Sequence, residues 1–357
     1  MIMNNLNFID LYAGIGGFRF AFEEFGGICK FSSEWDRYSQ LTYKAFHGEI
    51  PFGDIHSIKD IKNEIPNHDV LAAGFPCQPF SLAGVSKKNS LGRLHGFDDP
   101  TQGTEFFKIK EILRLKQPVA FLLENVKNLK SHDDGKTFQI ISEALDKVGY
   151  TFDTKIIDAA KWVPQHRERI FFIGFRKDTG ITKNEITELF PEPPKSRIYE
   201  LEELLIPEKE LKEKYGDKYT VGIGTWDTLV RHKKVHEDKG NGFGYGLIKK
   251  PYIDKVTRTI SARYHKDGAE ILIEQKGKRP RRITPLEALK LQGFPEKCYG
   301  FFDGTLSQPV SDTQAYRQFG NSVAFPVIKD LAQNITKLIH SKELLIDNSA
   351  IINKTAV

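Results

Sequence analysis

The chain has 357 residues, of which 39% are hydrophobic, 28% charged and 11% aromatic, and its formal net charge is +5. This balance is typical of a globular protein and excludes collagen-like, coiled-coil and generally disordered chains. At roughly 150 residues per domain, the length predicts two domains or one large domain with an insertion. No apolar run is long enough to span a membrane and the N-terminus does not resemble a leader, which predicts a cytoplasmic protein. The three cysteines are far apart in sequence, so we expect neither a disulfide framework nor a metal site.

From Asn7 to about Arg176, short apolar runs alternate with amphipathic runs, as in βαβ units. This alternation predicts an α/β fold with a largely parallel sheet. Side chains at the carboxyl ends of its strands are candidate site residues, because open α/β sheets bind their ligands there. The predicted strands are Asn7–Tyr12, Cys29–Ser33, Asp69–Phe75, Pro118–Leu123 and Ile170–Phe175.

A glycine turn follows the first predicted strand and contains Gly14, Gly16 and Gly17. Glycines let the backbone turn tightly and approach a ligand, and the helix that follows presents its positive end there. Twenty residues after Gly14, Glu34 could accept hydrogen bonds from a ribose diol, and the adjacent Trp35 could stack on a purine. The spacing is not GxGxxG, so this turn indicates either a nucleotide-like cofactor or a purely structural turn.

Cys77 lies just past a predicted strand, between Pro76 and Pro79, which stiffen the chain. A thiol held in a fixed direction is a candidate nucleophile, although a lone cysteine is also commonly a small buried apolar residue. The polar, glycine-containing stretch from Leu82 to Thr101 has the composition of a long mobile loop.

Two further polar groups follow or precede predicted strands. Glu124 and Asn125 end one strand, and a desolvated carboxylic acid near a cysteine would suit general acid catalysis. Arg167 and Arg169 precede another strand and share one face of an extended chain, so they could clamp that carboxylate and a ligand carbonyl. The alternatives are a carboxylate that caps a helix and an exposed edge with salt bridges.

The alternation ends near Pro191, and the following turn-rich chain predicts a second, smaller domain. Residues 221–282 contain 15 basic and 7 acidic side chains, a net charge of +8 that leaves −3 for the rest of the chain. Such a concentration indicates a polyanionic partner or a solvated basic face. The stretch from Gln318 to His340 predicts one regular helix.

In their order along the chain, these segments resemble the signature motifs of the DNA cytosine carbon-5 methyltransferases of bacterial restriction-modification systems. Two later segments, residues 281–295 and residues 318–323, strengthen the resemblance. It implies an α/β fold of the S-adenosylmethionine-dependent, Rossmann-like type, with a mixed, mostly parallel sheet and a second, smaller target-recognition domain. We expect a catalytic and cofactor-binding domain over residues 1–190, the target-recognition domain over 191–305, and a C-terminal segment over 306–357 that returns to the catalytic domain.

The resemblance also implies a role for each matching residue. Cys77 would attack carbon 6 of a flipped-out cytosine, and Glu124 would contact ring nitrogen 3 and the exocyclic amine. Arg169, with Arg167, would orient Glu124 and the cytosine carbonyl, while Asn125 would brace the turn. The positions that match the S-adenosyl-L-methionine site are Tyr12, where the family usually has phenylalanine, Gly14, Gly16, Glu34, Trp35, Asp54, Ile55, Pro76, Asn321 and Ser322.

The implied partner is double-stranded DNA. Gln78 and Ser81 would lie near the flipped nucleotide and its phosphates, and Thr259 near the target phosphates. Side chains in the stretches from Arg231 to Tyr245 and from Arg258 to Lys266 are candidates for groove contacts. A monomer would act on each strand in turn, and a restriction endonuclease would act on the same site without a stable complex.

Three other functions stay open on the sequence alone. An RNA cytosine methyltransferase built on this fold would share the cysteine and the glutamate. A nicotinamide-dependent oxidoreductase would explain the glycine turn but not a cysteine fixed beside the cleft. A DNA-binding regulator without catalysis would explain the basic segment, although every expected catalytic residue is present.

Overall fold

Residues 5–76, 105–240 and 244–345 are described in the computed structural model. Their centre is one six-stranded sheet, formed by β1 (Asn7–Leu11), β2 (Ile28–Ser33), β3 (Val70–Gly74), β4 (Ala120–Val126), β5 (Tyr150–Asp158) and β6 (Glu168–Arg176). The order across the sheet is β2-β1-β3-β4-β6-β5. The first four strands in this order are parallel, whereas β6 runs antiparallel to both of its neighbours. The prediction of an α/β fold with a mixed, mostly parallel sheet is confirmed.

Helices cover both faces of the sheet. Those in the described residues are α1 (Gly17–Glu23), α2 (Arg37–His47), α3 (Ile61–Glu64), α4 (Glu105–Lys116), α5 (Lys136–Lys147), α6 (Lys183–Glu188), α7 (Leu201–Leu204), α8 (Glu208–Tyr215), α9 (Ile223–Asp238), α10 (Pro285–Leu291), α11 (Gly300–Asp303), α12 (Asp312–Asn321) and α13 (Phe325–Ser341). Alternate residues of a strand point to opposite faces, so Phe8 of β1 belongs to the apolar cluster that includes α1 and α13, while Ile9 belongs to the one that includes α3, α4 and α5. Among the residues described, no helix is both long and apolar enough to cross a membrane.

The direction of β6 brings distant residues to one edge of the sheet. β5 was not among the predicted strands; it pairs with β6, from Asp158 opposite Glu168 to Tyr150 opposite Arg176. Because β6 is antiparallel to β4, Arg169 pairs with Val126, and the amino end of β6 meets the carboxyl ends of β1, β3 and β4. The motif with Glu124, at the carboxyl end of β4, and the motif with Arg169, at the amino end of β6, therefore lie at the same edge of the sheet.

Residues 221–282, which we call the small lobe, contain a second sheet. Its strands are very short: β7 (Leu247–Ile248), β8 (Leu272–Ile273) and β9 (Arg281–Arg282). Val221, Leu229 and Leu272 form a small apolar cluster beside Trp226 and Tyr245. The smaller second unit agrees with the predicted fold class, while the domain boundaries at residues 190 and 305 stay predictions.

One basic side chain of the small lobe is not available to a partner. Arg281 is 5% exposed, and its two terminal nitrogens donate to the carboxylate of Glu287, both at 2.8 Å. That carboxylate also accepts the backbone N–H groups of Ile206 and Thr284. This buried ion pair joins the end of the small lobe to α10, so Arg281 does not add to the exposed positive charge of the lobe.

The C-terminal helices differ from the predicted single helix. α12 ends at Asn321 and α13 begins at Phe325, with Pro326 in its first turn, where a missing N–H costs nothing. Gly320 packs against the small lobe so closely that a Cβ there would lie 2.2 Å from the backbone of Ser261. The break between the two helices leaves Asn321 and Ser322 at the edge of the sheet.

Candidate active site

The turn after β1 requires glycine at residue 16. Gly14 and Gly16 have φ values of +56° and +84°, which glycine adopts without strain. A Cβ on Gly16 would lie 2.0 Å from Nε2 of His47. Conformation and space therefore both exclude larger residues at this position, and the turn leaves a concave surface beside the strand ends.

Glu34 lies directly after β2 and is fixed by the neighbouring backbone. Its Oε2 accepts the N–H of Gly14 at 2.8 Å, and its Oε1 accepts the N–H of Asp36 at 2.7 Å. Burial raises the pKa of Glu34, and these two hydrogen bonds oppose that effect. Each oxygen keeps a further lone pair for a hydroxyl donor. Trp35 is 75% exposed, so its indole face is available for stacking.

A cavity of about 670 Å³ opens along the carboxyl ends of β1, β3 and β4. The structure does not place two of the expected cofactor residues in its wall. Gly16 is the N-cap residue just before α1, and the side chain of Ile55 packs in the core between the sheet and α3. The other eight expected cofactor residues line the cavity: Tyr12, Gly14, Glu34, Trp35, Asp54, Pro76, Asn321 and Ser322.

Glu124 and Arg169 form an ion pair in the wall of this cavity, with Nε of Arg169 at 3.0 Å from Oε1 of Glu124. Glu124 is 8% exposed, and its burial raises the pKa of the carboxyl against the opposing charges of Arg169 and Arg167. A carboxyl with a raised pKa stays protonated at a higher pH than an exposed one, which suits a general acid. The positions predicted from separate motifs are therefore in contact.

Asn125 holds the chain that leads to Cys77. Its Nδ2 donates to the backbone oxygen of Phe75 at 2.9 Å, and its Oδ1 accepts the N–H of Val126 at 2.8 Å. This side chain thus fixes β4 against the residue just before Pro76, which itself lines the cavity. Cys77 and the two expected DNA-contacting residues Gln78 and Ser81 lie outside the described residues, as does the stretch from Leu82 to Thr101.

Arg167 differs from its expectation. Its side chain is 1% exposed and does not line the cavity; it donates to the backbone oxygens of Ile260 at 3.2 Å, Gly320 at 2.9 Å and Ser322. It therefore binds the small lobe and the break after α12 rather than Glu124, on which it acts only through its charge. The expected clamp of two arginines is replaced by Arg169 alone, because the guanidinium of Arg167 is taken by three carbonyl groups.

Thr259 lies where the small lobe crosses the amino end of β6. Its hydroxyl donates to the backbone oxygen of His166, and His166 and Thr257 are joined by a backbone hydrogen bond of 2.9 Å. Thr259, the threonine expected near the target phosphates, is thus held against the residue directly before Arg167, where the small lobe meets the central sheet.

The sequence profile of the family described as C-5 cytosine-specific DNA methylase matches residues 6–337. The chain belongs to this family. The methylase is 46% identical to a DNA-cytosine methyltransferase of Escherichia coli, with 91% of this chain and 76% of that protein covered. It is 47% identical to the Type II methyltransferase M.NlaX of Neisseria lactamica, over 92% of this chain and 95% of the relative. It is therefore a DNA-cytosine methyltransferase, as its sequence motifs predicted.

Solved structures share the fold of the methylase at much lower identity. The crystal structure of the S. pombe Dnmt2 methyltransferase superposes with a TM-score of 0.70 at 17% identity, over 94% of this chain and 99% of that one. The Entamoeba histolytica methyltransferase EhMeth gives a TM-score of 0.67 at 18% identity, over the same shares of the two chains. These likenesses confirm the predicted fold class.

Sequence reasoning found Asn321 but missed the other three residues of a polar stripe on α12 of the methylase. Gln314, Arg317, Gln318 and Asn321 all line the cavity and follow the helical spacing i, i+3, i+4, i+7. Gln318 also accepts the hydroxyl hydrogen of Thr42 at 2.8 Å. The helical spacing of these polar residues could have indicated that they share one face. It could not have indicated a cavity, because a polar helix face next to a polar cavity has the same sequence pattern as one next to solvent.

The described wall of the cavity is mainly acidic. Two arginines, Arg169 and Arg317, face five carboxylates: Glu34, Asp36, Asp54, Glu105 and Glu124. Opposite charges attract most strongly where water is excluded. This wall therefore favours a cationic ligand over an anionic one such as a dinucleotide.

Proposed function

We propose that this methylase transfers a methyl group from S-adenosyl-L-methionine to carbon 5 of a flipped-out cytosine within a short, specific duplex DNA sequence, through a covalent adduct with Cys77. The observation that carries the proposal is the contact of Glu124 with Arg169 in the wall of a cavity that also contains Pro76, the residue before Cys77. Different groups of residues around this cavity support cofactor binding and activation of the cytosine.

The residues around the cavity fit S-adenosyl-L-methionine. Glu34 offers two backbone-fixed carboxylate oxygens to a ribose diol, and Trp35 offers an exposed aromatic face to a purine. Asp54 accepts the N–H of His56 through one oxygen at 2.9 Å, which leaves the other for an exocyclic amine. When bound, the cofactor would supply the electrophilic methyl group of its sulfonium, whose positive charge suits the acidic wall.

The protein's own groups would activate the cytosine. The thiolate of Cys77 adds to carbon 6, and the electron pair of the ring double bond moves to carbon 5. Glu124, with its raised pKa, holds a proton at ring nitrogen 3 and contacts the exocyclic amine, while Arg169 keeps its carboxyl in place. After carbon 5 has gained the methyl group, it loses its proton to a base, and the thiolate leaves as the double bond re-forms.

The target base must leave the duplex, since a cytosine in the stack cannot be reached from both faces. We infer that the small lobe, within a target-recognition domain of residues 191–305, reads the sequence around it. Lys266, Lys276 and Arg279 of this lobe are exposed cations, as phosphate contacts require. We expect Gln78, Ser81 and Thr259 to contact DNA near the flipped base. The methylated site would be protected from a cognate restriction endonuclease, and the methylase would act as a monomer.

The test is methyl transfer from labelled S-adenosyl-L-methionine into unmethylated duplex DNA, with base-resolution mapping of the product. We expect label on carbon 5 of cytosines within one recurring short sequence. Cys77→Ser should abolish transfer, because a hydroxyl is a much weaker nucleophile for reversible addition. Cys29→Ser is the matched control, since Cys29 lies on the edge strand β2 and should leave transfer intact.

Two results would contradict the proposal. Transfer that persists in Cys77→Ser would exclude the covalent route. Label that enters RNA but not DNA would assign the activity to an RNA substrate instead.

A further inference from the structure

Tyr12 makes a hydrogen bond that phenylalanine cannot make. Its hydroxyl donates to the backbone oxygen of Glu105, the first residue of α4, at 3.1 Å. Tyr12 has a φ of +56°, so the chain at the start of the glycine turn is bent and its side chain lies in the cavity wall. Burial and the nearby Glu105 carboxylate raise the pKa of Tyr12, so the hydroxyl remains a donor at any physiological pH.

The side chain of Glu105 makes the next link. Its Oε2 lies 2.7 Å from Nε2 of His56, and both side chains line the same cavity as Tyr12. His56 belongs to the turn that Asp54 begins, because the carboxylate of Asp54 accepts its backbone N–H. Glu105 thus connects two segments that carry expected cofactor residues.

Other contacts already fix α4 along the rest of its length. Lys108 donates to the backbone oxygen of Ile58 at 3.1 Å, and Lys116 donates to that of Lys62 at 3.0 Å. Ile109 and Ile112 pack in the core beneath. The fold of α4 therefore does not depend on Tyr12 and His56, which act only on its first turn, where it reaches the cavity.

We propose that Tyr12, Glu105 and His56 form a positioning network that pre-forms the adenosyl end of the cofactor cavity. The network ties the glycine turn, the Asp54 turn and the first residue of α4 to one another at a single point. This inference rests on the proposed use of S-adenosyl-L-methionine and adds residues to that site. A wall that is already ordered binds a ligand more tightly, because less freedom is lost on binding.

The test measures binding of S-adenosyl-L-methionine and S-adenosylhomocysteine to the whole protein by calorimetry without DNA. Tyr12→Phe keeps the ring and removes one hydrogen bond, so both dissociation constants should rise about threefold to tenfold. Glu105→Leu should produce a similar rise. Glu105→Gln should restore binding, because an amide can still bond to His56. The melting temperature of the free protein and its affinity for DNA should stay close to those of the parent.

A double variant that combines Tyr12→Phe with Glu105→Leu distinguishes a network from two separate contacts. Since both changes release the same first turn, their combined effect should be smaller than the product of the two single effects. Equal binding by the parent and the single variants, or strict additivity in the double variant, would overturn the network. A parent protein that binds neither ligand would instead overturn the proposed cofactor, so the two failures are distinguishable.

Discussion

The cavity and the small lobe hold their polar groups in different ways. In the cavity, Glu34 is fixed by two backbone N–H groups, and Glu124 is held by Arg169 from the adjacent strand. The small lobe instead has strands of two residues and a separate cluster of three buried apolar side chains, while its other buried apolar residues, such as Ile260 and Tyr264, pack into the main core. Of its exposed cations, Lys266 and Lys276 lie on turns, whereas Arg231 and Lys234 lie on α9.

This difference separates reaction chemistry from target reading. A catalytic group must be held in place by rigid elements, and the central sheet provides them. A surface that reads DNA can vary from one protein to another when it lies on loops supported by a small core. Changes in the cavity should therefore affect rate and stability strongly, whereas single changes in the small lobe should affect DNA binding weakly.

The largest effect should come from Glu124. Glu124→Gln removes a buried acid with a raised pKa, and we expect the methylation rate to fall by about 10³-fold. In the parent, the protonated form is lost as the pH rises through this pKa, so kcat/KM should decrease on the alkaline side. The residual activity of the variant should lack this decrease, which a pH series of initial rates would show.

Glu168→Gln is the control for that experiment. Glu168 lies on β6, one residue before Arg169, the partner of Glu124. Its exposed carboxylate pairs with Lys127 instead. The control should retain the parental rate and pH profile. An equal loss in both variants would mean that the strand end, and not the acid at residue 124, is what the reaction needs.

A smaller effect should come from the glycine turn. Gly16→Ala should lower the free energy of unfolding by about 3 kcal/mol, because alanine is strained at this φ and its Cβ meets His47. Gly26→Ala, at a similar φ with open space around it, should lower it by about 1 kcal/mol. Urea unfolding of the three proteins measures both values, and equal losses would remove the argument from close packing.

The smallest effect should come from one cation of the small lobe. Lys266→Gln should reduce the slope of log binding constant against log salt concentration by about 0.9, since one phosphate contact is lost. Lys62→Gln, an exposed lysine on α3, should leave the slope unchanged. A salt titration of DNA binding measures this, and an unchanged slope for Lys266→Gln would place this lysine outside the DNA interface.

The sequence allowed much of the catalytic edge to be predicted, because each motif stands next to a strand. Apolar runs located β1, β2, β3, β4 and β6, and parallel strands end at a common edge. The resemblance of the motifs to one enzyme family then assigned the reaction, which the family match and the identities to DNA-cytosine methyltransferases confirm at that level.

Other features could not be predicted from local pattern. β5 combines polar and apolar residues at the edge of the sheet, where burial is incomplete, so its pattern was weak. Two arginines, Arg167 and Arg169, were expected to contact Glu124, because their two-residue spacing places them on one face of an extended chain. That spacing could not show that the guanidinium of Arg167 binds three carbonyl groups distant in sequence.

The sequence by itself determined the fold class, the family and the residue types of the site, since these depend on short-range order and on motifs read in sequence. Only the tertiary structure decided which of these residues meet. The antiparallel direction of β6 brings Arg169 to Glu124, and the start of α4 brings Glu105 to Tyr12 and His56. Such contacts join residues separated by 45 to 93 positions, and they arise from the packing of whole strands and helices, which no local sequence pattern records.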